Sequence, residues 1–269
     1  MNDAPIFIGG AARSGTTLVR AILDSHSRIA CGPELKLGTL ILHQWQQFKW
    51  AQALLHDAQR VAPEEADALY RQLFLGLLQP YRRASGKPRI AEKTPSNTLH
   101  FCALHALFPG AKCVHVIRDG RDVVASLLRT NWLDPVTGKP ASFTKDVAEA
   151  TRYWAATVRA AAELGPDYLE LRYCDLVLRS EATLRSIFSF LGEEWEGNVL
   201  NFHEIEREDE PNAKEIARPI HPGSIGRAGG DLSASDLAIV MEIAAPLLEE
   251  LGYLDPVQAA RETRRLGSR

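Results

Sequence analysis

The chain has 269 residues, enough for one large domain with a sizeable buried core. Its 31 lysines and arginines against 34 aspartates and glutamates leave a net charge of −3, a balance that gives no support to a nucleic-acid-binding or membrane-surface protein. There is no bilayer-spanning apolar run and no basic leader before Pro5, and the cysteines (Cys31, Cys102, Cys113, Cys174) lack metal-ligand spacing, so reduced thiols and a cytoplasmic location are expected.

Ile6, Phe7 and Ile8 form a short apolar run closed by Gly9 and Gly10 and read as a buried strand. Leu18, Ile22 and Leu23 mark the helix that follows. Between them, Arg13-Ser14-Gly15-Thr16-Thr17 has the frame of a phosphate-binding loop, where turn amides and a helix N-terminus converge on one anion. Gly10 and Gly15 have the spacing of a triphosphate loop, but Thr16 stands where that motif has lysine. A triphosphate thereby loses its dedicated cation, while Arg13 offers a planar fork suited to oxyanions. The loop reads as a site for a 5′-phosphate bearing one further anionic group. The bland alternative is a glycine-rich turn with no ligand, but such a turn needs none of the donors of Arg13, Ser14, Thr16 and Thr17.

Arg28 to Gly32 reads as a second strand, left by Pro33-Glu34-Leu35-Lys36. From about 37 to 83 the spacing predicts a helical insertion. One helix starts at Leu37; a second is opened by Pro63-Glu64-Glu65 and runs through Phe74 towards Tyr81. Its position suits a cover for an acceptor, though packing alone gives the same pattern. Pro88 to Lys93 is a third strand, after which Thr94 or Ser96 is expected to cap a helix carrying Leu99, Leu104 and Leu107. Lys112 to Ile117 is the clearest strand; Arg118-Asp119-Gly120-Arg121-Asp122 and a helix with Val123, Val124, Leu127 and Leu128 follow it. A long helix over 147–164 precedes a fifth strand, Tyr168 to Tyr173, and an amphipathic helix closed by Gly192.

This alternation predicts an α/β fold, a P-loop-type three-layer sandwich with a central parallel sheet of about five strands and helices on both faces. Ligands of such sheets sit beyond the carboxyl ends of the strands. Arg13, Glu34, Lys93, Arg118 and Tyr173 all fall there, so one crevice could gather them. The tail holds an acidic loop over 204–215, then a glycine-rich basic stretch over 218–230 that reads as mobile. Ser233 is expected to cap a last core helix through Leu251, and Pro256 to start a basic helix with Arg261, Arg264 and Arg265. The whole chain, 1–269, reads as one domain.

Five segments in order carry a family likeness: Arg13-Ser14-Gly15-Thr16-Thr17; Leu23-Asp24-Ser25-His26 with Cys31-Gly32-Pro33-Glu34; Val116 to Ser126; Leu171 to Val177 with Phe190-Leu191-Gly192; and Leu251-Gly252-Tyr253. Together they resemble the sulfotransferases that use 3′-phosphoadenosine 5′-phosphosulfate (PAPS), above all the tyrosylprotein sulfotransferases and their bacterial relatives. The resemblance implies PAPS as cosubstrate and transfer of its sulfuryl group to an acceptor hydroxyl. Glu34 would be the general base, Lys93 would stabilise the bridging oxygen, and Arg13 would neutralise charge on the transferred group. The 5′ side of the donor would lie on Arg13, Ser14, Gly15, Thr16 and Thr17, and the 3′-phosphate on Arg118 and Ser126. Tyr173 would approach the nucleotide, and Arg218 and Arg227 would come from a segment, about 204–232, that folds over the donor. That segment has Ala228 where an aromatic commonly follows Gly226-Arg227, and no serine-rich stretch lies upstream. Arg129 is a candidate for a further family arginine.

Two departures bear on the acceptor and compartment. The cysteine matching Cys31 is paired in secreted-pathway relatives with one at the position of Ala91, so that bridge cannot form here. Of two arginines that grip acidic peptides, Lys36 keeps one charge and Leu40 replaces the other. The acceptor is therefore left open among a protein tyrosine, a sugar and a small molecule. No acidic pair has metal-binding spacing, and no metal is expected. A phosphate-loop kinase would need magnesium and the missing lysine; a non-catalytic nucleotide-binding module would have no use for Glu34 and Lys93. The oligomeric state stays open, a homodimer included.

Overall fold

Ile6–Gly9 (β1) is the middle strand of a five-stranded parallel sheet, ordered β2-β3-β1-β4-β5. The others are Ile29–Cys31 (β2), Arg89–Lys93 (β3), Lys112–Ile117 (β4) and Tyr168–Arg172 (β5). The computed structural model describes residues 4–36, 38–59, 61–133, 137–161, 168–207 and 213–254. β1 is buried along its whole length, as a central strand flanked on both edges and both faces must be. In register, Ile8 lies opposite Lys93 on one side and Val114 on the other. The residues after Gly9, Lys93 and Ile117 therefore leave the sheet side by side, which is what brings three distant segments into one site.

The pleat sends alternate β1 residues to opposite layers. Ile6 and Ile8 pack with Val114 and Val116 against Thr16–Asp24 (α1) and Ser180–Leu191 (α8). Phe7 and Cys113 face Gly38–Gln59 (α2), Pro63–Ser85 (α3) and Phe101–Leu107 (α4) through Leu42, Trp45, Phe74 and Leu104. Ile117 joins Gly120–Leu127 (α5), Val147–Ala161 (α6) and Ala234–Glu250 (α11) in a further apolar cluster. The parallel sheet with helices over both faces is the expected sandwich.

The boundaries differ in instructive places. β5 stops at Arg172, and Tyr173 opens a short helix, Tyr173–Leu178 (α7). Thr94 stands at the N-cap of a 3-10 turn, but its hydroxyl donates to Glu92 and makes no cap. Ser233 does cap α11, accepting from the Asp236 amide. Gly192 ends α8 at φ 73°, in the left-handed region that suits glycine. The four cysteines are free, and Cys31 lies directly opposite Ala91 in the β2–β3 register. Ala213–Ile216 (α9) forms where an acidic loop was expected. In the glycine-rich stretch Ile225 packs on the cluster around α5, followed by a helical turn, Ala228–Asp231 (α10), and then Leu232 on the same cluster. Leu37, residues 162–164 of the long helix and the basic helix after Pro256 lie outside the described residues.

Candidate functional site

The loop after β1 is held by one internal turn and from two sides. Gly10 donates its amide to Pro95 O at 3.0 Å, Ser14 to Ala11 O at 3.0 Å, and Ala12 to the Tyr153 hydroxyl at 3.0 Å. Burial pushes the Tyr153 phenol above its ordinary range, the Ala12 amide opposing it, so it stays a neutral prop. Gly10, Arg13 and Gly15 have φ of 150°, 74° and 100°. At Gly10 a Cβ would meet Val116 O at 2.4 Å, and at Gly15 it would meet the Tyr173 ring at 2.5 Å. Both glycines are required by space as well as by backbone conformation.

β4 and α5 carry the second motif. Trp154 is fully buried; its indole N–H donates to Arg118 O at 3.1 Å and fixes the strand end. Asp119 caps α5 through the Arg121 amide and pairs with the Arg121 guanidinium at 2.6 Å. Asp119 thus leaves Arg118 to other partners. Arg118 donates from Nη1 to Arg13 O at 3.1 Å and from Nη2 to Ser224 O, lies 3.5 Å from Asp122, and stacks 5.0 Å from the Tyr173 ring centroid. Ser126, two turns along α5, accepts from Arg13 Nε at 3.0 Å. The first and second motifs are thus in direct contact.

Glu34 and Lys93 meet at 2.9 Å, Oε2 to Nζ. The ion pair of Arg13 is with Glu215, at 3.3 Å. Lys93 is 5% exposed and Glu34 28%, so the lysine lies below the carboxylate at the floor of the opening. Behind Lys93, Glu92 is buried and accepts from Thr94 and Asn97 at 2.6 Å each. Burial raises the Glu92 carboxyl above its ordinary range, while these hydrogen bonds and Lys93 pull the other way.

All these groups line one crevice of about 390 Å³. Of the sequence-predicted residues it gathers Arg13, Gly15, Thr16, Thr17, Glu34, Lys93, Arg118, Ser126, Tyr173, Arg218 and Arg227. Ser14 is the exception: it is 1% exposed and does not line the wall, yet its Oγ has no partner. Arg129 points away and pairs with Asp231 at 3.0 Å. The chain from Arg218 to Arg227 lines one side of the crevice, and Asp122 anchors its end. Its carboxylate accepts from the Gly226 and Ala228 amides at 2.9 and 3.0 Å.

Sequence reasoning missed Asp122 as this anchor, and missed Trp132, Lys214, Glu215 and His221 on the wall. Asp122 was visible inside the second motif; Lys214 and Glu215 sit in a polar stretch that gives no periodic signal. Six cationic side chains (Arg13, Lys93, Arg118, Lys214, Arg218, Arg227) face two carboxylates, Glu34 and Glu215. Such an excess in a partly enclosed cleft favours a highly charged anion. The unpartnered Arg118 Nε and Ser14 Oγ are donors still to be satisfied, so the residues fit a doubly phosphorylated nucleotide.

A sulfotransferase family model matches residues 5–197. The chain belongs to the sulfotransferase family, enzymes that move a sulfuryl group from PAPS to an acceptor. It is 29% identical over 264 residues to protein-tyrosine sulfotransferase A of Caenorhabditis elegans, covering 93% of this chain and 67% of that protein. It is 28% identical over 267 residues to the protein-tyrosine sulfotransferase of Drosophila melanogaster, where it covers 93% of itself but spans only 52% of the relative. Among solved structures, the sulfotransferase domain of the Synechococcus PCC 7002 olefin synthase superposes with a TM-score of 0.59 at 23% identity, over 90% of this chain and 95% of that one, a likeness of fold.

Proposed function

We propose that the crevice binds PAPS across both motifs and that Glu34 removes the proton of an acceptor hydroxyl, the phenol of a protein tyrosine being the first acceptor to test. The observation that carries this reading is the 2.9 Å Glu34–Lys93 pair in the wall of a cation-rich crevice. The relatives named above are protein-tyrosine sulfotransferases, which supports the choice of acceptor. Against a strongly acidic peptide stands Leu40, 61% exposed in the first turn of α2.

The reaction breaks the bond between sulfur and the oxygen bridging it to the 5′-phosphate and forms one from sulfur to the acceptor oxygen. The acceptor proton goes to Glu34, and adenosine 3′,5′-bisphosphate leaves. As with phosphoryl transfer, the demands are alignment and charge stabilisation. Lys93 has three N–H groups; one reaches Glu34, and two remain for the leaving oxygen. Arg13 offers a further cation beside the loop, and the Arg118–Tyr173 stack forms one wall next to Gly15.

The test is a titration with adenosine 3′,5′-bisphosphate and with ADP, each with and without magnesium, followed by transfer from labelled PAPS to a tyrosine peptide, a sugar and a simple phenol. We expect the bisphosphate to bind about tenfold or more tighter than ADP, from added charge-assisted contacts. A preference for magnesium-ADP would overturn the reading. Tight bisphosphate binding with no transfer to any acceptor would leave a binding module in its place.

A further inference from the structure

Glu34 has no secondary structure of its own to hold it. It follows β2 by three residues, and Lys36 just beyond has a left-handed φ of 56°. What fixes this turn lies at its base. Asp24, at the end of α1, accepts from the Cys31 amide at 2.9 Å, and Arg20 of the same helix donates to Cys31 O at 3.1 Å. The second oxygen of Asp24 accepts from the Tyr81 hydroxyl at 3.0 Å. Tyr81 belongs to α3 of the helical insertion, and its ring lies flat on the next residue of the turn: a Cβ on Gly32 would come within 2.9 to 3.1 Å of three ring carbons.

Asp24 is 6% exposed and balanced by Lys87 at 3.9 Å and Arg207 at 3.7 Å. A buried carboxylate so placed holds its geometry strongly, because both the amide and the phenol donate to a charged group. Leaving one of those donors or the carboxylate unmatched carries the penalty of a buried polar group.

We infer that Asp24 and Tyr81 are positioning residues for the reaction: the Tyr81–Asp24–Cys31 chain sets where Glu34 stands relative to Lys93, and ties that position to the helical insertion. The inference rests on the reading of Glu34 as the base. Neither residue lines the crevice, so both act through the turn. Pro33 stiffens the link between the clamped Gly32 and Glu34, since its φ is fixed.

The test compares Tyr81→Phe, Asp24→Asn, Gly32→Ala and Glu34→Gln in the full-length chain. PAPS consumption is followed with a tyrosine peptide present, and bisphosphate binding is measured by calorimetry. Tyr81→Phe should lower kcat about five- to tenfold and Gly32→Ala, which pushes the ring away, about a hundredfold, the scale of a small misplacement of a reacting group. The bisphosphate Kd should stay within about twofold, because the donor loop is untouched. In the Glu34→Gln background, Tyr81→Phe should have no further effect, as expected of residues acting through one group. Should Asp24→Asn fail to fold, Tyr81→Phe keeps every other contact and carries the test alone. If Glu34→Gln abolishes turnover while Tyr81→Phe and Gly32→Ala keep a normal kcat, the positioning role is wrong and the base assignment stands. If Glu34→Gln keeps normal turnover, the base assignment itself falls.

Discussion

The guanidinium of Arg13 donates to the hydroxyl of Ser126 across 3.0 Å, joining the loop after β1 to the helix after β4. With Arg118 reaching back to Arg13 O at 3.1 Å, each motif braces the other. Under the proposed reading, groups held in this way need less ordering when the donor binds.

Ser126→Ala removes both this brace and a donor for phosphate. Calorimetry with adenosine 3′,5′-bisphosphate should show Kd rising about tenfold, the scale of one charge-assisted hydrogen bond. Ser126→Thr keeps the hydroxyl and should recover most of it. An unchanged Kd in the alanine variant would remove Ser126 from the site.

Glu34→Gln keeps the size and the contact to Lys93 but not the basicity. Turnover should fall about a hundredfold or more while bisphosphate affinity stays within about twofold. Steady-state kinetics beside a binding isotherm decides it: equal losses in both would mean that Glu34 serves the fold of the crevice and not the proton.

Much of this was legible because strand ends carry their own signals. Short strands with apolar residues at their centres, bounded by glycine, proline or charged residues, placed Arg13, Lys93 and Arg118 at or just past the carboxyl edge, and the parallel register brings them level. Residues after β2 and in the Arg218–Arg227 stretch were harder. Their positions depend on a few side-chain-to-backbone hydrogen bonds, such as those of Asp24 and Arg20 to Cys31 and of Asp122 to Gly226 and Ala228, which no local periodicity encodes. Glu215 illustrates the limit: nothing in its neighbourhood marks it, yet it ends beside Arg13.

Asp122 anchors the wall of the crevice through the Gly226 and Ala228 amides. Asp122→Ala leaves two amides without their acceptor, each such bond to a charged group being worth about 1.5–3 kcal/mol. Hydrogen exchange at Gly226 and Ala228 should accelerate at least about tenfold, and bisphosphate dissociation should quicken with it. Exchange as slow as in the parent would show that packing of Ile225 and Leu232 alone seats this segment.

His115 on β4 is 1% exposed, and burial holds its imidazole down to about 4 from an ordinary 6.5. Between those values the unfolded chain binds a proton that the folded chain refuses. The contribution to stability is therefore complete above about pH 6.5, declines as the pH falls, and reaches its floor near pH 4, an effect of roughly 3 kcal/mol. Urea unfolding of the parent and of His115→Leu between about pH 4.5 and 7.5 isolates it. The parent should lose more stability towards acid than the variant; parallel curves would mean that the ring takes up its proton without unfolding.

Glu215 pairs its carboxylate with Arg13, the cation the proposed reading assigns to the donor, at 3.3 Å. The carboxylate is open to water, so the pair is weak as a structural contact, but its negative charge lines the same cation-rich crevice. Glu215→Gln should therefore tighten adenosine 3′,5′-bisphosphate about threefold, and the gain should shrink as salt is raised, since screening removes repulsion between an exposed carboxylate and a phosphate. The opposite outcome, weaker binding in the glutamine variant, would mean that Glu215 holds Arg13 in its productive orientation, and that the carboxylate aids the anion site it was expected to oppose.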